Sequence, residues 1–184
     1  MHGGRIAGCL LSDVSDTIAE NNEAVGAGLL NFEGTSEVVG TRFENNMVET
    51  NSRRATGGGF ALWDGTATLT DVVFVNCSTR SIGTGITGGG GIILSSGATT
   101  ITNATFTDCS ATCQYGHCFG GGLGLLSNSP FPTDFLVHGA SFHATSATSA
   151  TGAAFGGGVG IWSRGLTAYD MSFYDTFVRS VNTW

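Results

Sequence analysis

The sequence contains no lysine, and only 11% of its 184 residues are charged, seven arginines facing fourteen acids for a net charge of −7. A surface so poor in cations has little to offer a phosphate backbone, because nucleic-acid affinity is built on clustered Lys and Arg; nucleic acid is set aside as a partner. No apolar run approaches the ~20 residues that a membrane-spanning helix needs, so no spanning segment is expected. Met1 is followed by His-Gly-Gly-Arg rather than by a signal peptide, which implies a mature or trimmed form, or secretion through a segment no longer present. Prolines number only two, and the thirty glycines follow no Gly-X-Y period, which excludes collagen. The shortage of charge does not signal disorder, since a 41% hydrophobic content and a mean hydropathy of +0.17 provide for a core.

What the chain does have is a repeat. Gly57-Gly58-Gly59 leads to Phe74, Gly89-Gly90-Gly91 to Phe106 and Gly156-Gly157-Gly158 to Phe173, each seventeen residues from first glycine to phenylalanine. Gly26-Ala27-Gly28 leads to Phe43 in the same way, and Gly120-Gly121-Gly122 leads to Phe142 with five extra residues between. Aligned on these anchors, apolar columns emerge. Leu29, Phe60, Ile92, Leu123 and Val159 follow the glycines; Asn31, Leu62, Leu94, Leu125 and Ile161 come two residues later; Val38, Leu69, Ile101, Val137 and Ala168 precede the phenylalanine by five. Their period of two, broken by Gly40, Asp71, Asn103, Gly139 and Asp170, describes two short strands with a bend between them.

A helical repeat would need apolar residues at three- and four-residue spacing, and a propeller blade about 40 residues; an immunoglobulin-like sandwich would not produce apolar columns at a fixed repeat. Phenylalanine spacings of 31, 32, 36 and 31 residues fit a coil of a three-sided β-helix. The expectation is an all-β, right-handed parallel β-helix, a solenoid of about six coils in a single domain over residues 1–184. Its first coil, residues 1–25, is degenerate, with Ile18 in the phenylalanine place, and an insertion loop occupies residues 127–134.

The glycine clusters with their apolar strands, and the segments FENN at Phe43, FVNC at Phe74 and FTDC at Phe106, resemble the GGA(I/L/V) and FxxN repeats of polymorphic outer-membrane proteins and autotransporter passenger domains. The resemblance covers nearly the whole chain and implies the β-helix fold shared by pectin lyase-like enzymes, adhesins and passenger domains. Only Phe43 with Asn46 keeps FxxN intact; Cys77, Cys109, Thr145 and Thr176 replace the asparagine elsewhere.

Polysaccharide lyases and hydrolases need paired carboxylates, a basic residue or an acidic calcium site. The carboxylates Asp64, Asp71, Asp108, Asp134, Asp170 and Asp175 are instead scattered, and most fit turn chemistry. No catalytic residue, cofactor or metal site is assigned. Cys77 and Cys109 hold the same place in consecutive coils, either as a disulfide or as a ladder of buried thiols. Cys113 and Cys118 close a six-residue loop and are expected to form a local disulfide; with His117 between them they are too few for a zinc site. Cys9 is left over. Five cysteines in a Ser- and Thr-rich chain point to an oxidising, extracellular or cell-surface setting.

Asn76-Cys77-Ser78 and Asn103-Ala104-Thr105 match the N-glycosylation pattern, Asn103 at an outward bend and Asn76 in an internal column with Asn45, Asp108 and Asp175. Contact surfaces are sought at Phe131, between Pro130 and Pro132 in the insertion, and at Trp63 and Trp162, which share a column with Phe32 and serve either packing under loops or stacking on sugar rings. Dense threonines at Thr66, Thr68, Thr70, Thr99, Thr100 and Thr102 raise ice binding, which the remaining coils do not continue. No cap is evident between Gly3-Gly4 and Trp184, and the coils come close to a whole number. Either the chain is a piece of a longer β-helix or copies stack head to tail; the functional expectation is a non-enzymatic, structural or adhesive subunit of a fibre or surface stalk, with itself and glycans as partners. The competing expectation is a carbohydrate-binding or polysaccharide-degrading β-helix.

Overall fold

A computed structural model describes residues 4–7, 10–12, 15–18, 24–51, 54–126, 134–162 and 165–181, with side chains placed from Gly26 onward. Phe131 with its flanking prolines, the insertion up to residue 133, Cys9, Gly3 and Trp184 lie outside the described residues. Among those described there is no helix, and strands pair in parallel into three sheets. The first sheet, of twelve strands, carries the long bent segments Phe60–Val75 and Ile92–Thr107. A second, of six, stacks Ser15–Ile18, Met47–Thr50, Ser78–Ser81, Ser110–Cys113, Ser146–Ser149 and Phe177–Ser180; a third, of five, stacks Ala24–Val25, Ala55–Thr56, Ile86–Gly88, His117–Phe119 and Ala154–Phe155. The chain visits the three in turn and returns one rung higher, which makes a parallel β-solenoid.

Complete circuits run between the glycine clusters beginning at Gly26, Gly57, Gly89, Gly120 and Gly156, so the solenoid has about four turns rather than six. The segments before Gly26 and after Gly156 are partial coils that a count of anchors takes as whole ones. The register also corrects the first coil. Leu11 pairs with Phe43, and Ile18 with Thr50 in the second sheet. Leu11 stands 32 residues before Phe43, the same step that separates Phe74 from Phe106.

The columns read from the sequence are rungs of the core. Leu29, Phe60, Ile92, Leu123 and Val159 are successive register partners, as are Val38, Leu69, Ile101, Val137 and Ala168. Phe43, Phe74, Phe106, Phe142 and Phe173 stack with ring centroids 4.6, 5.0, 4.7 and 5.0 Å apart and planes within 9° of parallel. Each of the first four is fully buried. A buried phenylalanine is worth about 1.5–3 kcal/mol in transferred area, and a ring pair about 0.5–1.5 kcal/mol more.

The coupling of glycine cluster to phenylalanine has a steric cause. A Cβ at Gly59, Gly91, Gly122 or Gly158 would fall 2.6, 2.7, 2.6 or 2.7 Å from Cδ1 of the phenylalanine in its own coil. The third glycine of each cluster is thus the floor on which the ring lies. The first glycine serves the backbone instead. Gly57 turns the chain at φ +69°, a left-handed conformation that side chains disfavour.

Corners of the circuit use the same conformation. Gly40, Asp71, Asn103, Gly139 and Asp170 form one left-handed column, and Asn45, Asn76, Asp108, Ala144 and Asp175 another. Asn and Asp tolerate this region better than other side chains. The second column is not internal as expected: Asn45, Asn76, Asp108 and Asp175 are all at least partly open to solvent. A left-handed residue interrupts the in-and-out alternation, so Val75 and Asn76 both face outward and Cys77 takes the inward place.

Phe106→Ala should lower unfolding free energy by about 3–5 kcal/mol in urea titrations. Gly91→Ala should cost about 1–3 kcal/mol by driving a Cβ into that ring, and combined with Phe106→Leu it should cost less than the sum of the two. Ala144→Gly, which relieves an alanine at φ 50°, should stabilise by about 1 kcal/mol.

Candidate functional site

Alternation along the strand Phe60–Val75 puts Phe60 and Leu62 in the main core and leaves Ala61 and Trp63 on the opposite, outer side. There a second apolar cluster forms from Ala61, Ile93, Phe119 and Leu126, with Ile86 packed against it. The outer column of Leu30, Ala61 and Ile93 continues as Gly124 and Gly160. Those glycines open a notch: a Cβ at Gly124 would lie 3.1 Å from Cε2 of Phe119, and one at Gly160 2.8 Å from its Cβ. Phe119 fills the notch and is 1% exposed.

Three further rings lie near one another on this side. Phe155, the register partner of Phe119, is 44% exposed, and Trp162, above Leu126, is 46% exposed. Their centroids are 6.0 Å apart, edge to face, and the His117 ring lies 6.0 Å from Trp162. The Ala153 N–H donates to His117 Nδ1 at 3.4 Å, which in the neutral imidazole leaves the proton on Nε2. Residues 113–126 and 149–162, which frame the platform, contain no Asp, Glu, Arg or Lys. The arrangement offers an apolar face bordered by one hydrogen-bond donor, with Arg164 two residues beyond Trp162 in the sequence.

Trp63 and Trp162 do belong to one column, Phe32, Trp63, Ser95, Leu126 and Trp162. Their settings differ. Trp63 is half-buried, with Phe32 beside it 50% exposed, while Ser95 and Leu126 separate this pair from Trp162. Sequence reasoning missed Phe155 and weighed His117 only as a metal ligand. The signal that could have found the site is that Phe119 and Phe155 each directly precede a glycine cluster.

Cys77 and Cys109 are unbonded, fully buried thiols one coil apart, each pointing its Sγ at backbone carbonyls: Phe43 and Val75 for Cys77, Phe74 and Thr107 for Cys109. Burial pushes the Cys109 thiol well above the ordinary range, so it stays protonated and unreactive. Cys113 and Cys118 are joined, with Cα atoms 5.9 Å apart. Ser81 and Ser149 are the register partners of Cys113. Their Oγ atoms accept hydrogen bonds from the turn N–H groups of Gly83 and Gly152, at 3.1 and 2.9 Å. The disulfide therefore braces in one coil the same turn that a serine hydroxyl braces in its neighbours.

The sequon asparagines both sit at left-handed corners on the outside of the coil, where their amides extend ladders: Asn76 Nδ2 donates to Asn45 Oδ1 at 2.9 Å and Asn103 Nδ2 to Asp71 Oδ1 at 3.0 Å. Asp64, Asp71, Asp108, Asp170 and Asp175 are corner residues too, and Asp170 meets His138 Nε2 at 3.0 Å. Among the described residues no group of three or more His, Cys, Asp or Glu is placed to hold a metal, and no helix is long and apolar enough to cross a membrane. The outer threonine rows pair Thr68 with Thr100 and Thr70 with Thr102, then pass to Leu136 and His138, while Thr99 points inward and is 2% exposed.

No family model matches the chain, and neither the curated proteins nor the solved structures compared with it include a significant match. The resemblance to autotransporter-type repeats gains no support from these comparisons.

Replacing the disulfide by the residue types of neighbouring coils, as Cys113→Ser with Cys118→Ala, should keep the turn and cost about 2 kcal/mol, the loop-closure value for so short a ring. Calorimetry of the variant against the parent, both without reductant, measures it.

Proposed function

We propose that this solenoid is a structural or adhesive element of an extracellular or cell-surface assembly, in which one copy stacks end to end on the next. The observation that carries the reading is the surface of the coil from Gly156 to Val181. Ile161, Phe173 and Val178 continue the columns of Leu125, Phe142 and Ala147, each of which is fully buried, yet they are 51%, 49% and 46% exposed. The strands Val159–Trp162, Leu166–Tyr169, Ser172–Tyr174 and Phe177–Ser180 are paired with the preceding coil alone among the described residues. Such an edge is a template for another parallel rung, and the cover that fits it best is a coil with the same rise and the same columns. A further coil of a longer chain would supply one, and so would a second copy, in a heterologous contact that propagates rather than closes. The Cys113–Cys118 bond and the scarcity of charge support an oxidising, extracellular setting.

A second reading, a solenoid that binds neutral carbohydrate, is favoured by the platform of Trp162, Phe155 and His117. Stacked faces with one polar edge are what an amphipathic ring requires.

Sedimentation velocity and negative-stain electron microscopy over a concentration series test the stacking. Rods should lengthen with concentration, and Phe173→Asp should leave single particles with an unchanged far-ultraviolet spectrum. A wild-type protein that stays monomeric throughout the series contradicts end-to-end stacking.

A further inference from the structure

We infer that Asn103 is an N-glycosylation site, its Nδ2 carrying an oligosaccharide on the outer wall of the coil, in preference to Asn76 in the other sequon. Such a site depends on the extracellular setting proposed above and not on end-to-end stacking. Geometry supplies what the three-residue motif alone lacks. Asn103 is exposed at a left-handed corner, φ 54°, of the bent strand Ile92–Thr107. Ala104 then turns inward and is 1% exposed, which returns Thr105, half-buried, to the same outer side as Asn103. The asparagine amide and the threonine hydroxyl that the sequon pairs are thus presented together, on a coil with described coils on either side.

Rung neighbours separate the two sequons. Asn103 stands between Asp71 and Gly139. Its Nδ2 donates to Asp71 Oδ1 at 3.0 Å, and its Oδ1 lies 2.8 Å from where a Cβ of Gly139 would be, so the amide leans into space that exists because Gly139 carries no side chain. Asn76 stands between Asn45 and Asp108, with a side chain on both sides, and its Nδ2 donates to Asn45 Oδ1 at 2.9 Å. The serine of its sequon is also closely packed: a Cβ at Gly58 would lie 2.6 and 2.7 Å from the backbone O and N of Ser78. In the transfer, C1 of a lipid diphosphate-linked oligosaccharide breaks its bond to the diphosphate oxygen and bonds to Nδ2. One Nδ2 proton goes to a base of the transferase, and the lipid diphosphate leaves. The second Nδ2 hydrogen remains for Asp71. This chemistry belongs to the same oxidising lumen in which a bond such as Cys113–Cys118 forms.

Secretion of the intact chain behind a cleavable signal peptide from cultured eukaryotic cells tests the assignment, by glycopeptide mass spectrometry with and without peptide N-glycosidase. Asn103 should be occupied in most chains and Asn76 in few. Asn103→Gly, which places at this corner the residue type of Gly40 and Gly139, should abolish the enzyme-sensitive mass shift, as should Thr105→Ala, which keeps the asparagine. Thr105→Ser and Asn76→Asp should retain it, and far-ultraviolet spectra matching the parent's establish that each variant folds. A folded chain bare at Asn103, or occupied at Asn76 as fully as at Asn103, overturns the assignment. A chain held in the lumen rather than released to the medium counts against the extracellular reading alone, because occupancy of Asn103 is read equally well from lumenal protein.

Discussion

Parallel pairing of each strand with its own equivalent one coil away is the constraint on which everything else depends. It fixes the separation of like residues at about 4.8 Å, within the centroid separation of about 4.5–7 Å that aromatic pairs prefer. A phenylalanine that is good in one coil is therefore best placed against another phenylalanine, and the ring centroids at 4.6–5.0 Å show the backbone spacing handed on to the side chains. The same spacing turns a single steric requirement into a repeated one. Once a ring occupies the column, the residue beneath it must lack a Cβ, and Gly59, Gly91, Gly122 and Gly158 follow as a set. Core and glycine signature are two faces of one packing arrangement.

Corners are where the coil departs from this regularity, and they sort polar groups by a different rule. A flat strand must turn without losing backbone hydrogen bonds, and a single left-handed residue achieves the bend while the rungs on either side remain paired. Asn and Asp meet that need, and their carboxamides and carboxylates, stacked at the rung spacing, can bond to one another along the outside, as Asn76 does to Asn45 and Asn103 to Asp71. Acidic residues that would be suspected of catalysis in another fold are accounted for here by backbone conformation. The two buried thiols of Cys77 and Cys109 follow from the same bend, because the left-handed residue before each returns the chain to the inward direction.

How far the sequence discloses this depends on how often a feature is repeated. Phenylalanine, glycine and the apolar columns recur in coil after coil, so their register can be read by alignment within the chain, and every such column is a rung of the solenoid. The first coil is not readable in that way: with neither a phenylalanine nor a glycine triplet to mark it, Ile18 looks as suitable as Leu11, and only backbone pairing separates them. Asn76 is misread for a physical reason, since strict alternation from Phe74 predicts an inward residue and the left-handed conformation cancels it. Counting coils fails after Gly156, where Phe173 is present but no third-sheet strand follows among the described residues.

The candidate site lies at the limit of this legibility because it is built from exceptions. Outer columns are tolerant, so a change there leaves the repeat intact and no internal alignment marks it. Replacement of Ala61 and Ile93 by Gly124 and Gly160 in the following coils looks, in sequence, like a loss of apolar surface; in the folded coil it makes the room that Phe119 occupies, one rung from Phe155. Trp63 lacks that foundation. It has Ala61 two residues before it where Trp162 has Gly160, and its column neighbours are Phe32 and Ser95. Two tryptophans in one column therefore differ in surroundings, through the residue two positions earlier and through the number of neighbouring coils, and in a solenoid whose core columns are fixed by rung spacing it is the outer columns that leave room for such differences.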